Sequence, residues 1–476
     1  MKFPLLGKTF AVGGVLVALT LALQSISGIV GEREGRLHEA ERSVADSLAS
    51  QQALLGPVLL RRCDESWTSE QGEGKEKKLV TERREFALAA TPATLDVSAK
   101  AAIETRYRGI FKVNGYAMKA TMKARWADLA AMQEPPAAQH AGGRLHCDAP
   151  VMFVAVGDAR GIRVATISVG GASLPVLPGT EHASHPRGFH AVIPAAMLQA
   201  AGKETGGVLQ AEVALDLVGT GDLAFAPVGD TTHVMLASDW PHPSFAGRFL
   251  PAERTIDKQG FNAEWKLSAL ATSAPQELVN GGAVCSLGGA TAEVPGTAAN
   301  RARCIETFGV SFIDPVSAYV LSDRATKYGL LFIALTFVGV GLVEVLRRLR
   351  VHPVQYLLVG SALAVFFLLL VSLTEHIAFA WAYLAASAAC TVLLTFYASF
   401  VLHGLRAGAV FGLGVAALYG ALYLLLQMEQ SALVLGSLLL FVVLGAVMVA
   451  TRRVDWYALM DPLRREASPP VHKATQ

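Results

Sequence analysis

Apolar and polar positions are distributed in three different ways along this chain. From Phe10 to Val30 the run is apolar almost throughout, from Gly31 to Lys327 short apolar stretches are broken by charge, and from Tyr328 to Thr451 long apolar runs return. The change is sharpest in DRATKYGLLFIALTFVGVGLVEVLRRL, Asp323 to Leu349, where a charged approach turns apolar and stops at arginines. Between Tyr328 and Leu346 the one charge is Glu344. A helix needs roughly 20 apolar residues to cross about 30 Å of hydrocarbon, so this stretch predicts a transmembrane helix. Runs of similar length follow at Val354–Thr374, Ile377–Phe400, Ala407–Gln427 and Ser431–Thr451. With the first run they make six predicted spans.

The charged stretch after the first span carries other periods. Leu37, Val44, Leu48 and Leu55 recur at helical steps with charges between them, which predicts an amphipathic helix that continues the first span and ends at Gly56-Pro57. VLLRRC, Val58 to Cys63, then reads as a strand, and CDESWTSEQGEGKEKK, Cys63 to Lys78, as a solvated loop. From Glu85 short alternating runs with Gly, Pro or Asn between them predict strands and hairpins. Asn114-Gly115 supplies a turn signal between IFK and YAMKATMKA, since both residues tolerate positive φ. RWADLAAM, Arg125 to Met132, reads as helical, and EPPAAQHAGG, Glu134 to Gly143, marks a seam. MFVAVGDARGIRVATISVGG, LQAEVALDLVGTGDLAFAPVGDTTHVMLASDW and FNAEWKLSAL complete an all-β, sandwich-like pattern, with a Gly/Ala-rich loop from Gly281 to Arg303. The predicted organisation is an anchor helix (1–30), a mainly-β domain (31–327, with a possible seam near 135–150), a five-helix membrane bundle (328–451) and a tail (452–476).

Composition sharpens this division. The chain is 52% hydrophobic and 17% charged, against about 25% charged in soluble domains, which makes a membrane its expected setting. Of 41 Lys and Arg, 30 lie between Gly31 and Lys327, as do 33 of 39 Asp and Glu, so that segment is about three charges negative. It offers no basic stripe to a phosphate backbone, and nucleic acid is not an expected partner. The first apolar run is longer than the roughly 7–15 residues of a cleaved signal core and ends in SISGIVGER without a clean A-x-A site, so it predicts a retained anchor. Lys2, Lys8, Arg347, Arg348, Arg350, Arg406, Arg452, Arg453, Arg464, Arg465 and Lys473 all fall on one side of a six-span layout. The opposite short loops hold Glu375, His376 and Glu429 and neither Lys nor Arg. The charge rule then predicts that both termini are cytoplasmic and that the β domain lies outside.

Four cysteines, Cys63, Cys147, Cys285 and Cys304, lie in the charged domain, and Cys390 in an apolar run. Outside the cytoplasm disulfides are allowed, so those four are candidates for two bridges. Cys285 with Cys304 is the favoured pair because both flank the Gly/Ala-rich loop; buried free thiols are the alternative, and the full connectivity stays open.

Few strings point to chemistry. GTGD, Gly219 to Asp222, matches the GxGD string of intramembrane aspartyl proteases, whose aspartate must face a second one inside the bilayer. Here it falls among predicted strands and no span contains an aspartate, so a β-turn is the reading. His182, His185 and His190 have irregular spacing and no Cys or carboxylate pattern to complete a tetrahedral set, which predicts a solvated loop rather than a metal site. With no HExxH, Walker, GxSxG or dinucleotide motif, neither an enzyme nor a cofactor is expected. Glu344 stands three and four residues before Arg347 and Arg348, which predicts a local ion pair. SDWPHPSFAGRFLP, Ser238 to Pro251, sets Trp240, His242, Phe245, Arg248 and Phe249 among prolines, and such a rigid loop either packs a sandwich end or presents a binding face. Asp323, Arg324 and Lys327 stand just before the second span, on the face where the charge rule disfavours cations. They are candidate junction residues, with Arg324 and Lys327 held by partners such as Asp323, domain carboxylates or lipid phosphates; the alternative is an ordinary linker, since a large translocated domain can ignore the charge rule.

Several strings occur together in one family. GDARGI (157–162), LVGTGDL (217–223), SDWPHPSFAGRFLP (238–251), DRATKY (323–328) with LLFIALTF (330–337), HPVQYLLVG (352–360) and DWYA (455–458) closely resemble the CreD family, inner-membrane cell envelope integrity proteins also called colicin tolerance (Cet) proteins. The resemblance covers the chain from the anchor through Leu459. It implies a multi-pass protein of the Gram-negative inner membrane, controlled by the Cre two-component system and linked to envelope integrity and to tolerance of colicins and β-lactam stress. It implies no catalytic mechanism and no residue roles. The expected function is non-enzymatic: a periplasmic β domain binds an unknown envelope protein or a wall or lipid ligand, and membrane lipids surround the bundle. The alternative is a transporter or membrane-embedded enzyme acting on envelope components, with the β domain guiding substrate.

Overall fold

A computed structural model describes residues 4–71, 78–134, 136–204, 208–287, 304–312, 314, 318–347, 351–428, 432–452 and 454. The chain forms two compact units, one of Met1–Leu37 with Val316–Gln476 and one of His38–Pro315. Helix α1 (Pro4–Ser47) is continuous over 44 residues, so it contributes to both. It ends at Ser47, well short of the Gly56-Pro57 boundary expected from its apolar period. The physical reason is that Gln52, Ala53 and Leu54 pair with a parallel strand, and strand pairing overrides a helical repeat carried by so few apolar residues.

That strand, β1 (Gln52–Gln71), forms a long hairpin with β2 (Lys78–Ala90) in register from Leu59↔Ala90 to Gln71↔Lys78. The solvated loop expected over 63–78 is therefore largely strand. Its pairs are polar: Glu65 lies opposite Arg84, Ser69 Oγ donates to Glu82 at 2.6 Å, and Arg83 lies 3.6 Å from Asp64. Such cross-strand pairs stabilise a ribbon without leaving an apolar alternation to read. The next hairpin joins β3 (Thr94–Arg108) to β4 (Phe111–Trp126), with Arg108↔Phe111 as its last pair. Its turn is Gly109-Ile110, with Gly109 at φ +61°. Glycine at the first central position is what a two-residue turn of matching twist requires, so Asn114-Gly115 is not the turn and continues inside β4.

The remaining strands are β5 (Arg144–Cys147), β6 (Val151–Ala155), β7 (Ile162–Val169), β8 (Ala172–Leu174), β9 (Leu177–Pro178), β10 (Gly188–Val192), β11 (Leu209–Thr220), β12 (Asp222–Phe225), β13 (Thr231–Ser238), β14 (Ser244–Gly247), β15 (Glu253–Asp257), β16 (Gly260–Ser268), β17 (Ala283–Val284), β18 (Cys304–Ile305) and β19 (Phe308–Ser311). Short helices α2 (Ala130–Gln133), α3 (Ala195–Glu204) and α4 (Ala274–Val279) interrupt them. Of these, α2 overlaps only the end of RWADLAAM, whose Arg125 and Trp126 close β4, while α3 and α4 interrupt what the sequence pattern gives as continuous β structure. Most of Gly281–Arg303 lies outside the described residues.

One sheet has the order β14-β19-β12-β1-β6-β10-β9, with β2 and β5 paired to β1, and the other the order β15-β16-β13-β3-β4-β11-β7-β8. Alternation along β3, β4, β11 and β13 turns Val97, Met122, Val213 and Val234 inward. They share one buried core with Leu60, Phe153, Phe225 and Phe308 of the other sheet. Each such side chain contributes about 1.5–3 kcal/mol by leaving water. The result is a two-sheet, sandwich-like unit.

In the other unit α1 is joined by α5 (Ala318–Arg347), α6 (Pro353–Thr374), α7 (Phe379–Val401), α8 (Leu405–Gln427) and α9 (Ala432–Thr451). These six helices are long and apolar enough to cross a membrane. Helix α5 starts well before its apolar run, so Asp323, Arg324 and Lys327 are helical. Lipid tails give helices no hydrophobic reason to associate, and close packing takes that part. At Gly360 of α6 the absent Cβ leaves room for the Leu19 side chain of α1 and the Phe337 ring of α5, and a larger residue there would have to push those side chains aside.

Candidate functional site

Two of the strings singled out above, GDARGI and LVGTGDL, meet where α1 hands over to β1. Beyond the last turn of α1, the Ser50 backbone N–H and hydroxyl donate to Asp158 Oδ2 at 3.0 and 3.2 Å. Arg160 closes on the same carboxylate, with Nη2 2.6 Å from Oδ2 and Nε 3.0 Å from Oδ1. Its Nη1 also donates to the carbonyl of Asp46, one of the carbonyls that a helix end leaves without an intrahelical partner. Gln52 is buried beside them: its Nε2 donates to the carbonyls of Asp158 and Val218, both at 3.0 Å, and its Oε1 accepts from the Asp158 N–H at 3.0 Å. Both donors and the carbonyl oxygen of this amide are thus used. Thr220 adds a hydroxyl bond to the Ala49 carbonyl at 3.0 Å. At Gly161 a Cβ would lie 2.2 Å from the Val218 carbonyl oxygen, so GDARGI needs its second glycine.

Asp158 is 7% exposed. The Arg160 guanidinium, followed by the Ser50 donors, holds its carboxyl well below the usual carboxylate range. The knot ties the end of α1 to β1 in one sheet and to β11 in the other.

The second site lies in the membrane unit and corrects the local pair expected at Glu344. Lys8 of α1 bonds Glu344 Oε1, the Tyr356 hydroxyl donates to Oε2 at 3.0 Å, and the Lys8 ammonium lies 5.6 Å from the Tyr356 ring centroid. HPVQYLLVG positions the tyrosine: Pro353 opens α6 and the Gln355 side chain accepts from the His352 N–H at 2.9 Å. Tyr356 then falls on the first turn, facing the last turns of α5. A partner outside the helix wins because at this depth a charge gains more from a cation and a phenol in apolar surroundings than from a neighbour that can turn to water. Lys8 and Tyr356 also line a cleft of about 410 Å³ with Val12, Leu16, Ala334, Phe337 and Val338. Just past the other end of the apolar run of α1, Arg33 Nε lies 3.2 Å from Glu375 Oε1, so α1 carries a charge pair at each end of that run.

Truncating Glu344 to alanine is expected to lower bundle stability by about 2 kcal/mol. Breaking a buried pair costs about 3–5 kcal/mol, and the 26% and 17% exposure of these side chains reduces it. The Lys8→Met/Glu344→Leu double variant should recover more than half of the loss in thermal melts in detergent. A double variant as unstable as the single one would show that the pair is not the source.

A family model described as inner membrane protein CreD matches residues 4–457. The chain belongs to the CreD family. The inner membrane protein CreD of Escherichia coli (strain K12) is 33% identical over 463 residues, covering 97% of this chain and 96% of that protein. The CreD match therefore includes the knot, the Glu344 cluster and all six long apolar helices.

The remaining sequence candidates of this CreD family member are placed as follows. Trp240 is buried, its Nε1 donating to the His242 carbonyl at 2.7 Å. Phe245 packs edge-on to Phe261 and Trp265 at 5.5 and 5.8 Å, and Arg248 pairs with Glu306 at 3.1 Å. These contacts make the proline-rich loop part of the sandwich's packing. Lys327 pairs with Asp323 one turn away at 2.6 Å, and Arg324 is half-buried on the same turn. Disulfides join Cys63 to Cys147, which face each other across β1 and β5, and Cys285 to Cys304 beside β17 and β18. Cys390 is a buried free thiol. The histidine loop is packed rather than solvated: His185 and His190 are buried, and the His182 and His185 rings stand 5.0 Å apart. Burial pushes both of those imidazoles below their ordinary pKa. Among the described residues no three His, Cys, Asp or Glu form a metal-binding group, and DWYA lies outside the described residues.

Sequence reasoning missed Ser50, Gln52, Asp158 and Arg160 as a unit, and Lys8 and Tyr356 as partners of Glu344. A signal existed for the second set, since Lys8 stands at the edge of an apolar run, Phe10 to Val30, that carries no charge.

Proposed function

We propose that this chain is a non-enzymatic inner-membrane protein that supports envelope integrity and tolerance of colicins and β-lactam stress through a periplasmic sandwich that binds an envelope protein or a wall or lipid ligand. The observation that carries this reading is the Gln52–Asp158–Arg160 knot. It fastens a long, membrane-competent helix to both sheets, which suits a domain whose occupancy is to be felt along that helix rather than one that performs chemistry. The distribution of Lys and Arg supports cytoplasmic termini, and the two disulfides suit an oxidising compartment.

Two measurements test it. Reporters fused after Thr374 or Gln427 should register periplasm, and those after Arg350, His403 or Thr451 cytoplasm; a cytoplasmic signal at Gln427 would remove the last hairpin of the topology. Crosslinking from the periplasmic face followed by mass spectrometry should recover one recurrent envelope protein or wall fragment attached to the sandwich. Recovery of bulk membrane proteins alone would count against a binding domain.

The Glu344–Lys8–Tyr356 cluster beside its cleft favours a second reading, a transporter or membrane-embedded enzyme acting on envelope components. Glu344→Gln separates the two. Loss of tolerance with an intact fold would favour the second, and unchanged tolerance the first.

A further inference from the structure

A polar atom taken out of water needs a partner in return. In the loop between β9 and β10 two ring nitrogens, His182 Nδ1 and His185 Nε2, are buried without a hydrogen bond among the described residues. The loop around them is firmly held. The Gly179 N–H donates to the Gly188 carbonyl at 2.9 Å, the His182 N–H to Thr180 Oγ1 at 3.2 Å, and the His185 N–H to the His182 carbonyl at 3.2 Å. Phe153 of β6 lies 5.6 Å from the His182 ring, and His185 is 9% exposed. Glu181, directly before His182, takes φ +62°, a left-handed backbone that a glutamate adopts only where the surrounding structure imposes it.

Each ring also meets a backbone carbonyl, that of Leu278 in α4 at His182 and that of Gly282 just beyond α4 at His185. Gly281, at φ +73°, lets this turn close on the loop, since a Cβ there would lie 2.7 Å from Ser184 Oγ. A neutral imidazole has one N–H and one lone pair, and burial favours the neutral form of both rings. With the N–H of each directed to its carbonyl, the lone pairs stand on the two unpartnered nitrogens. Metal-ligating histidines are held in this way, the far ring N–H donating to a carbonyl or carboxylate. The separation agrees. With about 2.1 Å from metal to nitrogen and about 1.1 Å more to the ring centre, two imidazoles at a tetrahedral angle stand about 5 Å apart. The His182 and His185 centroids are 5.0 Å apart.

We propose that His182 Nδ1 and His185 Nε2 hold one divalent transition-metal ion of the zinc or copper class, with water in its remaining positions. Imidazole suits these ions, and two protein ligands make an exchangeable site rather than a closed structural one. Loading it fastens the β9–β10 loop to the end of α4 through the two carbonyls. The seat lies wholly within the sandwich and is independent of what else that domain binds.

The test uses the full chain, purified in detergent without a histidine tag, stripped with chelator and titrated with Cu(II) or Zn(II). At one equivalent of copper, pulsed electron paramagnetic resonance should show two coordinated imidazoles. His182→Gln and His185→Gln should each reduce this to one and weaken copper binding at least tenfold. His146→Gln, at a side chain 75% exposed, should change neither. Zinc should raise the melting temperature of the parent and leave that of the double variant unmoved. A parent spectrum with one imidazole or none would overturn the proposal, however the variants fold. So would two-imidazole binding that survives in the double variant, which would place the ion on other histidines. A parent that binds neither ion would also overturn it, and would assign the two nitrogens to buried water.

Discussion

Replacing Cys63 and Cys147 together with alanine is expected to destabilise the sandwich by about 4 kcal/mol, the largest effect of any change considered. The two residues are 84 apart in sequence, and closing a loop of that length removes about 4–5 kcal/mol of entropy from the unfolded chain. Local contacts offset little of it. The partner strand β5 has four residues, and nearby the Trp67 ring stacks on His140 at 3.6 Å while the His140 N–H donates to Glu65 at 2.8 Å. At roughly 2–4 °C per kcal/mol for a domain of this size, thermal unfolding of the full chain in detergent should fall by about 8–16 °C. The bridge between Cys285 and Cys304 spans 19 residues, so its removal should cost about 3 kcal/mol. A loss below about 1 kcal/mol on removing the longer bridge would mean that the unfolded chain stays compact without it.

The six long helices were readable because an apolar run of membrane length has few other physical explanations. The two-sheet core was readable wherever one face alternates, as along β3 and β11. Reading failed where partners are polar or distant. The β1–β2 ribbon pairs Glu65 with Arg84 and Ser66 with Arg83, and polar residues on both faces look like a solvated loop. Asn114-Gly115 had the composition of a turn, yet Gly109 took it because turn position is set by register, which a local string does not contain. The helical period of Glu344 pointed to Arg347, whereas its cation lies 336 residues away at Lys8. Gln52 is an uncharged residue whose bonds reach 106 and 166 residues along the chain. No periodicity or motif marks such a group in advance.

Asp158→Ala should cost the sandwich about 3 kcal/mol and loosen the end of α1. The substitution removes the acceptor of the Ser50 N–H and hydroxyl and of the Arg160 guanidinium. A buried donor left without a partner costs about 1–3 kcal/mol, and a broken buried ion pair about 3–5 kcal/mol. The Arg160 side chain is 53% exposed, so water recovers part of the pair and the lower figure applies. Asp158→Asn keeps the shape without the charge and should lose about half as much. The acid dependence follows from the depressed carboxyl pKa in the folded state. A carboxylate of this kind contributes fully above its unfolded value near about 4, and its contribution fades as pH falls from there toward the folded value. The melting temperatures of the parent and of Asp158→Asn should therefore lie well apart at neutral pH and converge as pH falls below about 4. A constant gap down to about pH 3 would show that shape rather than charge holds the knot. Convergence, together with faster proteolysis between Ser47 and Gln52 in the alanine variant, would trace the joint between α1 and the sandwich to one buried carboxylate.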